Sequence, residues 1–180
     1  MPIWLIIAYF LFSLPTLYGG VKLNKKGKKV HAKGALSALI AYTLIFSAIW
    51  IFDLEVPDCF VFMPMVSVFV SGFFGHYLGR YQKSKVFDRY LHGYTSFACA
   101  LLAYYLVKNL FVMGGSKAFI ALFVFSFSMA LGAMFELMEA AHDVKSNVKG
   151  QPGLKDTNMD MVFNLIGSIA AAVFAFFFLL

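Results

Sequence analysis

Long apolar runs alternate with short polar stretches along the whole chain, and the length of the runs predicts membrane-spanning helices. A helix rises about 1.5 Å per residue, so roughly 20 apolar residues cross a hydrocarbon core of about 30 Å. Six runs come close to that length or exceed it. They cover residues 3–18, 35–52, 59–78, 86–107, 118–141 and 159–180. We therefore predict an all-α polytopic membrane protein, a bundle of six transmembrane helices.

The composition of the chain agrees with this pattern. Hydrophobic residues make up 61% of the chain and charged residues 13%, whereas soluble domains have roughly 45–50% apolar and about 25% charged residues. No polar stretch is long enough for a separate soluble domain, so we predict a single integral membrane domain over residues 1–180. The sequence contains no Walker loop, nucleophile elbow or His-Glu-x-x-His motif, and no element typical of nucleic-acid binding.

The distribution of positive charge predicts the orientation in the membrane. Thirteen of the 15 Lys and Arg residues follow the first, third or fifth predicted span, and only Lys108 and Lys117 lie on the other side. Because loops rich in Lys and Arg stay in the cytoplasm, both termini are predicted to be outside. The Lys-rich stretch 21–34 is then a cytoplasmic loop, and His31 is a solvated residue within it.

Ionisable residues gather at the predicted cytoplasmic ends of the last three spans. A charged side chain at the centre of a membrane helix costs about 2.5–3.5 kcal/mol on insertion scales, so such residues need a partner or a use. Spacings of three and four place them on one face of each helix. If the three faces meet, the inner layer is His92, Glu136 and Asn164, and the outer layer is Asp88, Glu139 and Asp160.

Carboxylates that converge with an imidazole repel one another unless a cation lies between them, and a divalent metal ion binds both kinds of ligand. The spacing Glu139-Ala-Ala-His142 is typical of di-iron helical sites, although it occurs only once. The predicted ligands of a divalent metal ion are Asp88, His92, Glu136, Glu139, Asp156 and Asp160.

Structural interpretations of the same residues remain open. Asp88 and Asp160 are also compatible with helix N-termini, where the dipole favours a carboxylate by about 0.3–1 kcal/mol. Glu139, His142 and Asp143 fit a solvated helix end equally well. His76, which follows Gly72 and Gly75 in the third span, fits either a member of the cluster or an interfacial histidine.

Three segments carry a resemblance to known families. Residues 87–92 (FDRYLH), 132–139 (GAMFELME) and 155–161 (KDTNMDM) resemble the YjdF-like inner membrane proteins, with their Asp-x-x-x-His, Glu-x-x-Glu and Asp-Thr-x-x-Asp-Met motifs. The order Asp/His, Glu and Asp160-x-x-x-Asn164-x-x-Gly167 is similar to the VanZ family, which is linked to glycopeptide resistance. The resemblance covers residues 86–180. The chain departs from the YjdF-like pattern at 150–154, where it has GQPGL instead of GTQGD.

The resemblance implies location in the cytoplasmic (inner) membrane and a shared polar centre. The residues that it implies for that centre are Asp88, His92, Glu136, Glu139, Asp156, Asp160 and Asn164. It implies no particular reaction.

The cluster and the cations around it predict a metal-dependent enzyme that acts on the headgroup of a lipid or envelope precursor, as a phosphohydrolase or a headgroup transferase. Its partners are then membrane lipids and a phosphorylated amphiphile. The predicted catalytic residues are His92, Glu136 and Asp160, and the predicted substrate-binding residues are Arg80, Lys83, Arg89 and Asn164.

Two other classes of function stay open on the sequence. A small ion- or proton-coupled transporter also needs buried Glu, His and Asp, although the outer half of every predicted span lacks ionisable residues. A non-catalytic membrane scaffold needs the polar residues only for assembly.

Overall fold

The structure, a computed structural model, describes residues 1–111, 115–145 and 153–179, apart from the side chains at 85, 142, 143 and 145. All regular elements within these ranges are helical, as predicted. They are α1 (Ile3–Lys25), α2 (Lys29–Ile51), α3 (Asp58–Phe69), which continues directly as a π-helical segment (Val70–Tyr77), the short α4 (Arg80–Lys83), α5 (Lys85–Leu110), α6 (Lys117–Lys145) and α7 (Leu154–Phe178).

Five of these helices are long and apolar enough to cross a membrane. They are α1, α2, the continuous helix Asp58–Tyr77, the part Lys117–Ala141 of α6, and α7. With 26 residues, α5 is also long enough, but its first half carries Asp88, Arg89 and His92 and is therefore less apolar. The sixth span and the outside position of both termini stay predictions.

The Lys-rich stretch 21–34 is mostly helical, so the prediction of a loop there was wrong. Helix α1 continues to Lys25 and α2 begins at Lys29, which leaves a turn of three residues, with Gly27 at a positive φ of 75°. Lysine is a good helix former, and its long stem covers apolar surface while the ammonium group reaches water. His31 consequently lies in the first turn of α2 rather than in a loop.

The chain divides into two compact units, Met1–Phe87 and Asp88–Leu180. In unit 1, α1, α2 and the continuous helix Asp58–Tyr77 pack against one another. Glycines allow this close packing, because a Cβ atom on Gly72 would meet the methyl group of Thr16. The chain then reverses at Gly79, which has a φ of 71°, and α4 folds back so that the Tyr81 ring covers Gly75.

Unit 2 consists of α5 from Asp88 onward, α6 and α7. Helices α5 and α7 approach closely where the carbonyl oxygen of Gly93 occupies the space that a Cβ atom on Gly167 would need. From this contact toward the start of α5 and α7 lie the polar residues that the sequence singled out. Helix packing in unit 2 therefore determines the geometry of the candidate site.

Candidate metal-binding site

The first two residues of the site lie on α5. Asp88 and His92 are separated by one helical turn, and the Nε2 atom of His92 lies 3.6 Å from Oδ1 of Asp88. Their side chains are 21% and 11% exposed, respectively. The spacing of four residues puts both groups on the face of α5 that α7 and α6 cover.

Helix α6 contributes Glu136, which is 5% exposed. Its Oε1 atom lies 3.6 Å from Nε2 of His92. The imidazole thus lies between two carboxylates, one from its own helix and one from α6. This contact between His92 and Glu136 is the one predicted for the inner layer.

Helix α7 contributes Asp160, which is 4% exposed. One ligand atom each from Asp88, His92 and Asp160 lies within 4.8 Å of the other two. The Oδ1 atom of Asp160 is buried and has no hydrogen-bond partner among the described residues. Asp160 therefore lies beside both Asp88, its predicted neighbour in the outer layer, and His92, whereas Asn164, predicted for the layer of His92, is hydrogen-bonded to Ser96, one turn deeper along α5.

Asp156 and Arg89 form a separate ion pair at the edge of the site. The Nη2 atom of Arg89 lies 3.7 Å from Oδ1 of Asp156, and the two side chains are 20% and 11% exposed. The Nε atom of Arg89 is buried without a hydrogen-bond partner in the part of the chain that the structure describes. The sequence analysis assigned Asp156 to the metal and Arg89 to the substrate, and the structure brings the two together.

A hydrogen-bonded network continues the polar face one turn deeper. The Ser96 hydroxyl donates to Oδ1 of Asn164 over 2.8 Å, and the Ser128 hydroxyl donates to the carbonyl of Ser96 over 2.9 Å. The Ser168 oxygen lies 2.7 Å from both Ser128 Oγ and the Asn164 carbonyl, and its single proton serves one of them at a time. The network joins all three helices of unit 2.

Sequence reasoning missed the three serines, although the pattern contains a signal for them. The polar series on α5 and α7 continue at the same spacing of four, from His92 to Ser96 and from Asn164 to Ser168. Going backwards along α6, the same face runs from Glu136 through Gly132 to Ser128. A search for ionisable residues alone stops before reaching these hydroxyl groups.

The structure thus places together four of the predicted residues, Asp88, His92, Glu136 and Asp160. Glu139 is partly buried one turn along α6 from Glu136, and Asn164 is 1% exposed within the network. Arg80 and Lys83 belong to unit 1, as does His76, whose ring contacts are His31 and Tyr81. The side chains of His142 and Asp143, and residues 150–152, lie outside the described residues.

The electrostatics of the cluster favour a cation. Four carboxylates interact electrostatically with one another or with His92, those of Asp88, Glu136, Asp156 and Asp160. Because Asp156 is paired with Arg89, three carboxylates remain around one imidazole. Carboxylate oxygens and an imidazole nitrogen are ordinary ligands of divalent first-row metals. The arrangement is chemically able to hold such an ion.

The fold and the site define a class, the polytopic helical membrane proteins with a buried carboxylate and imidazole cluster. The chain belongs to the family described as "Predicted membrane protein (DUF2238)", whose model matches residues 2–180. This match supports the resemblance to the YjdF-like proteins, whereas the likeness to the VanZ family stays a prediction.

A relative from Thermotoga maritima, described as an uncharacterized protein, is 28% identical over 119 residues. The matched region covers 66% of this chain and 62% of that relative, so the chain spans less than two thirds of the length of the relative. No solved structure matches the chain.

Proposed function

We propose that unit 2 binds a divalent metal ion through Asp88, His92 and Asp160, and that the protein is an enzyme acting on the headgroup of a lipid or envelope precursor. The observation that carries the proposal is the buried Oδ1 atom of Asp160, which faces a second carboxylate and an imidazole without a hydrogen-bond partner in the described chain. A buried charge in this position needs a counter-charge, because leaving it uncompensated is strongly destabilising.

The proposed roles follow from the distances. A bound metal ion would polarise a phosphoryl oxygen and activate water at neutral pH. A histidine that ligates the metal has to be neutral and cannot also accept a proton at the same nitrogen. We therefore assign the role of general base to Glu136, whose carboxylate lies 3.6 Å from the imidazole, rather than to His92.

Arg89 is the proposed contact to a phosphate group of the substrate. Its side chain is 20% exposed and its guanidinium group is paired with Asp156, and its buried Nε has no hydrogen-bond partner among the described atoms. Guanidinium groups bind phosphate in a bidentate manner. A substrate phosphate that replaces Asp156 at Arg89 would lie beside the metal ligands. The expectation that Arg80, Lys83 and Asn164 bind the substrate stays a prediction.

The proposal includes the predicted topology of six spans with both termini outside. With α5 as a span, the charge distribution places the start of α5, the end of α6 and the start of α7 at the cytoplasmic side. The cluster then lies at the depth of the lipid headgroups. Its substrate would be an amphiphile that presents a phosphate to the cytoplasmic leaflet.

The experiment uses the full chain, purified in detergent and freed of metal by a chelator. Mg²⁺, Mn²⁺ and Zn²⁺ are titrated by calorimetry, and phosphate release from phosphatidic acid is then measured with and without the bound ion. We expect binding of one ion per chain and activity only in its presence. A chain that binds none of the three ions would overturn the metal centre. A chain that binds an ion with no turnover of phosphatidic acid, or of a polyprenyl phosphate tried next, would overturn the enzyme.

Ion or proton transport is a second candidate, favoured by the polar network. Polar residues occupy four successive turns of α7 from Asp156 to Ser168, a distance of about 18 Å or more than half of a hydrocarbon core of about 30 Å. Beyond them the buried face is apolar, at Ala171 and Ala175. Transport predicts a flux of protons or metal ions in proteoliposomes that His92→Ala abolishes, whereas the enzyme proposal predicts no flux.

A further inference from the structure

Asn164 of α7 lies between the other two helices of unit 2 and contacts both of them. The residue is almost fully buried, with 1% of its surface exposed. Its Oδ1 atom accepts a hydrogen bond of 2.8 Å from the hydroxyl of Ser96 on α5. Its amide also packs against α6 at Gly132, where an added Cβ atom would be 2.8 Å from both Cγ and Nδ2 of Asn164. One side chain therefore connects all three helices.

These contacts lie one helical turn from the candidate metal site. On each helix, the residue in contact and the residue of the site are four positions apart. The pairs are Ser96 and His92 on α5, Gly132 and Glu136 on α6, and Asn164 and Asp160 on α7. Residues four positions apart share a face of a helix and are separated by about 6 Å along its axis. The residues Ser96, Gly132 and Asn164, which we call the Asn164 layer, thus lie on the deeper side of the site.

The Asn164 layer favours a single axial position of the three helices. The face of α6 that meets Asn164 carries Ser128, Gly132 and Glu136 at spacings of four, and only the glycine leaves room for the amide. A shift of α7 by one turn would bring the amide against a side chain of α6 and away from the Ser96 hydroxyl. A buried amide without a hydrogen bond is strongly unfavourable in the hydrocarbon region. Both contacts are therefore satisfied at one register only.

The burial of Asn164 argues against direct binding of a substrate, which the sequence predicted for it. Its oxygen is engaged by Ser96, and its Nδ2 atom lies 3.9 Å from the Met161 sulfur of its own helix. A headgroup could reach the amide only if α5, α6 and α7 separated. What Asn164 can control is the position of the ionisable side chains one turn away. Metal sites depend on such control, because their ligands must be held within about 0.5 Å of the productive geometry.

We propose that Asn164 is a positioning residue, which fixes the axial register at which the ionisable side chains of α5, α6 and α7 converge. It contacts neither the metal ion nor the substrate. The effect on metal binding rests on the proposed function of unit 2, whereas the convergence of the side chains needs no ion. Loss of the amide lets α7 shift along its neighbours, and a shift much smaller than one turn of about 5.4 Å already misplaces Asp160 relative to His92.

The first test compares the Mn²⁺ affinities of variants of the full chain in detergent by calorimetric titration. Asn164→Ala and Ser96→Ala are each expected to lose about tenfold or more, as is typical when residues that support metal ligands are removed. The double variant is expected to bind no more weakly than the weaker of the two single variants. Both substitutions remove the same hydrogen bond, so their effects are not additive.

The matched control is Val124→Ala, which removes buried packing atoms from the same face of α6, two turns beyond Gly132. Like Asn164→Ala, it is expected to lower the melting temperature by a few degrees. Its Mn²⁺ affinity should stay within about twofold of that of the natural chain, since the Asn164 layer is intact. Equal losses of affinity in Val124→Ala and Asn164→Ala would overturn the positioning role.

Gly132→Ala tests the contact from the side of α6. The added methyl group would displace the Asn164 amide, so this variant is expected to lose Mn²⁺ affinity in the natural chain. In an Asn164→Ala background the amide is absent, and Gly132→Ala should cause little further loss. Equal losses in both backgrounds would overturn the register contact. An Asn164→Ala chain with natural Mn²⁺ affinity but a raised KM would show that Asn164 binds the substrate instead.

A measurement without metal separates this proposal from the proposed function. The coupling between His92 and Glu136 is obtained in a chelator from the melting temperatures of His92→Ala, Glu136→Ala and the double variant. In an Asn164→Ala background this coupling is expected to fall to about half or less, because the two side chains no longer meet. If the natural chain binds no Mn²⁺, the metal centre is overturned, and a reduced coupling still supports positioning. A coupling that Asn164→Ala leaves unchanged would overturn the positioning role even when the metal binds.

Discussion

The imidazole of His92 on α5 lies 3.6 Å from the carboxylate of Glu136 on α6. The two residues come from separate helices, and both are largely buried. Asp160 of α7 completes the arrangement, because one of its oxygens lies within 4.8 Å of His92 and Asp88. Three helices of unit 2 thus direct ionisable side chains to one point.

Removal of the Asp160 carboxylate is expected to abolish tight metal binding. Asp160→Asn keeps the shape of the side chain but removes a charged ligand. The metal affinity should therefore fall by about 100-fold or more, because losses of about 10–100-fold are typical even for residues that do not ligate the metal themselves. Calorimetric titration measures the change. The control Asp53→Asn, on an exposed turn with a φ of 49° that asparagine also adopts, should leave the affinity unchanged.

The same variant is expected to have the opposite effect on stability when no metal is present. When a chelator has removed the metal, Asp160→Asn should melt a few degrees above the natural chain, because the substitution neutralises one of several carboxylates that repel one another. With saturating metal the order should reverse, since only the natural chain gains the binding free energy. A variant that is less stable under both conditions would show that Asp160 has a purely structural role.

The metal affinity is expected to decrease as the pH falls. A ligating imidazole and ligating carboxylates must be deprotonated, so metal binding releases protons and acid competes with the ion. Titrations between pH 5 and pH 8, a range chosen about the ordinary titration of histidine, should show tighter binding at the higher pH. In His92→Gln the remaining dependence should be shallower, and a slope identical to that of the natural chain would exclude His92 as a ligand.

The serine network is expected to stabilise the packing of unit 2. Ser128→Ala removes the hydroxyl that donates to the Ser96 carbonyl and contacts Ser168. Hydrogen bonds between membrane helices contribute about 0.6–1.7 kcal/mol each, so the free energy of unfolding in mixed micelles should fall by about that amount. Ser37→Ala removes an exposed hydroxyl that bonds within its own helix, and it should change the free energy by less than about 0.5 kcal/mol.

Labelling of single cysteines tests whether α5 is the sixth span. In a chain with Cys59 and Cys99 replaced by alanine, Lys26→Cys and Asn109→Cys should react with a membrane-impermeant reagent from opposite sides of the membrane. If α5 does not cross, the two positions lie on the same side. The six-span topology also predicts that Met1 and Asn109 are both outside, and the labelling of a cysteine added before Met1 provides the control.

The helical class and the positions of most helices follow from the pattern of apolar residues in the sequence. Apolar runs of sufficient length predict helices in lipid because every backbone group must be hydrogen-bonded within its own segment, and the described part of the chain contains five such helices. The predicted helix boundaries were wrong where polar residues extend a helix beyond its apolar run, as at Lys25 and Lys29. Local apolar character shows where a helix enters the hydrocarbon but not where its hydrogen bonding ends.

The sequence also singled out Asp88, His92, Glu136 and Asp160, since ionisable residues are costly in membrane helices. Which of these residues meet depends on how the three helices pack against one another. The spacing of four along a helix fixes the residues that share a face, but the axial position of α7 against α5 depends on the contact between Gly93 and Gly167 and on the bond from Ser96 to Asn164. Those contacts bring Asn164 to Ser96, one turn deeper than the predicted layer of His92, and Asp160 lies beside both Asp88 and His92.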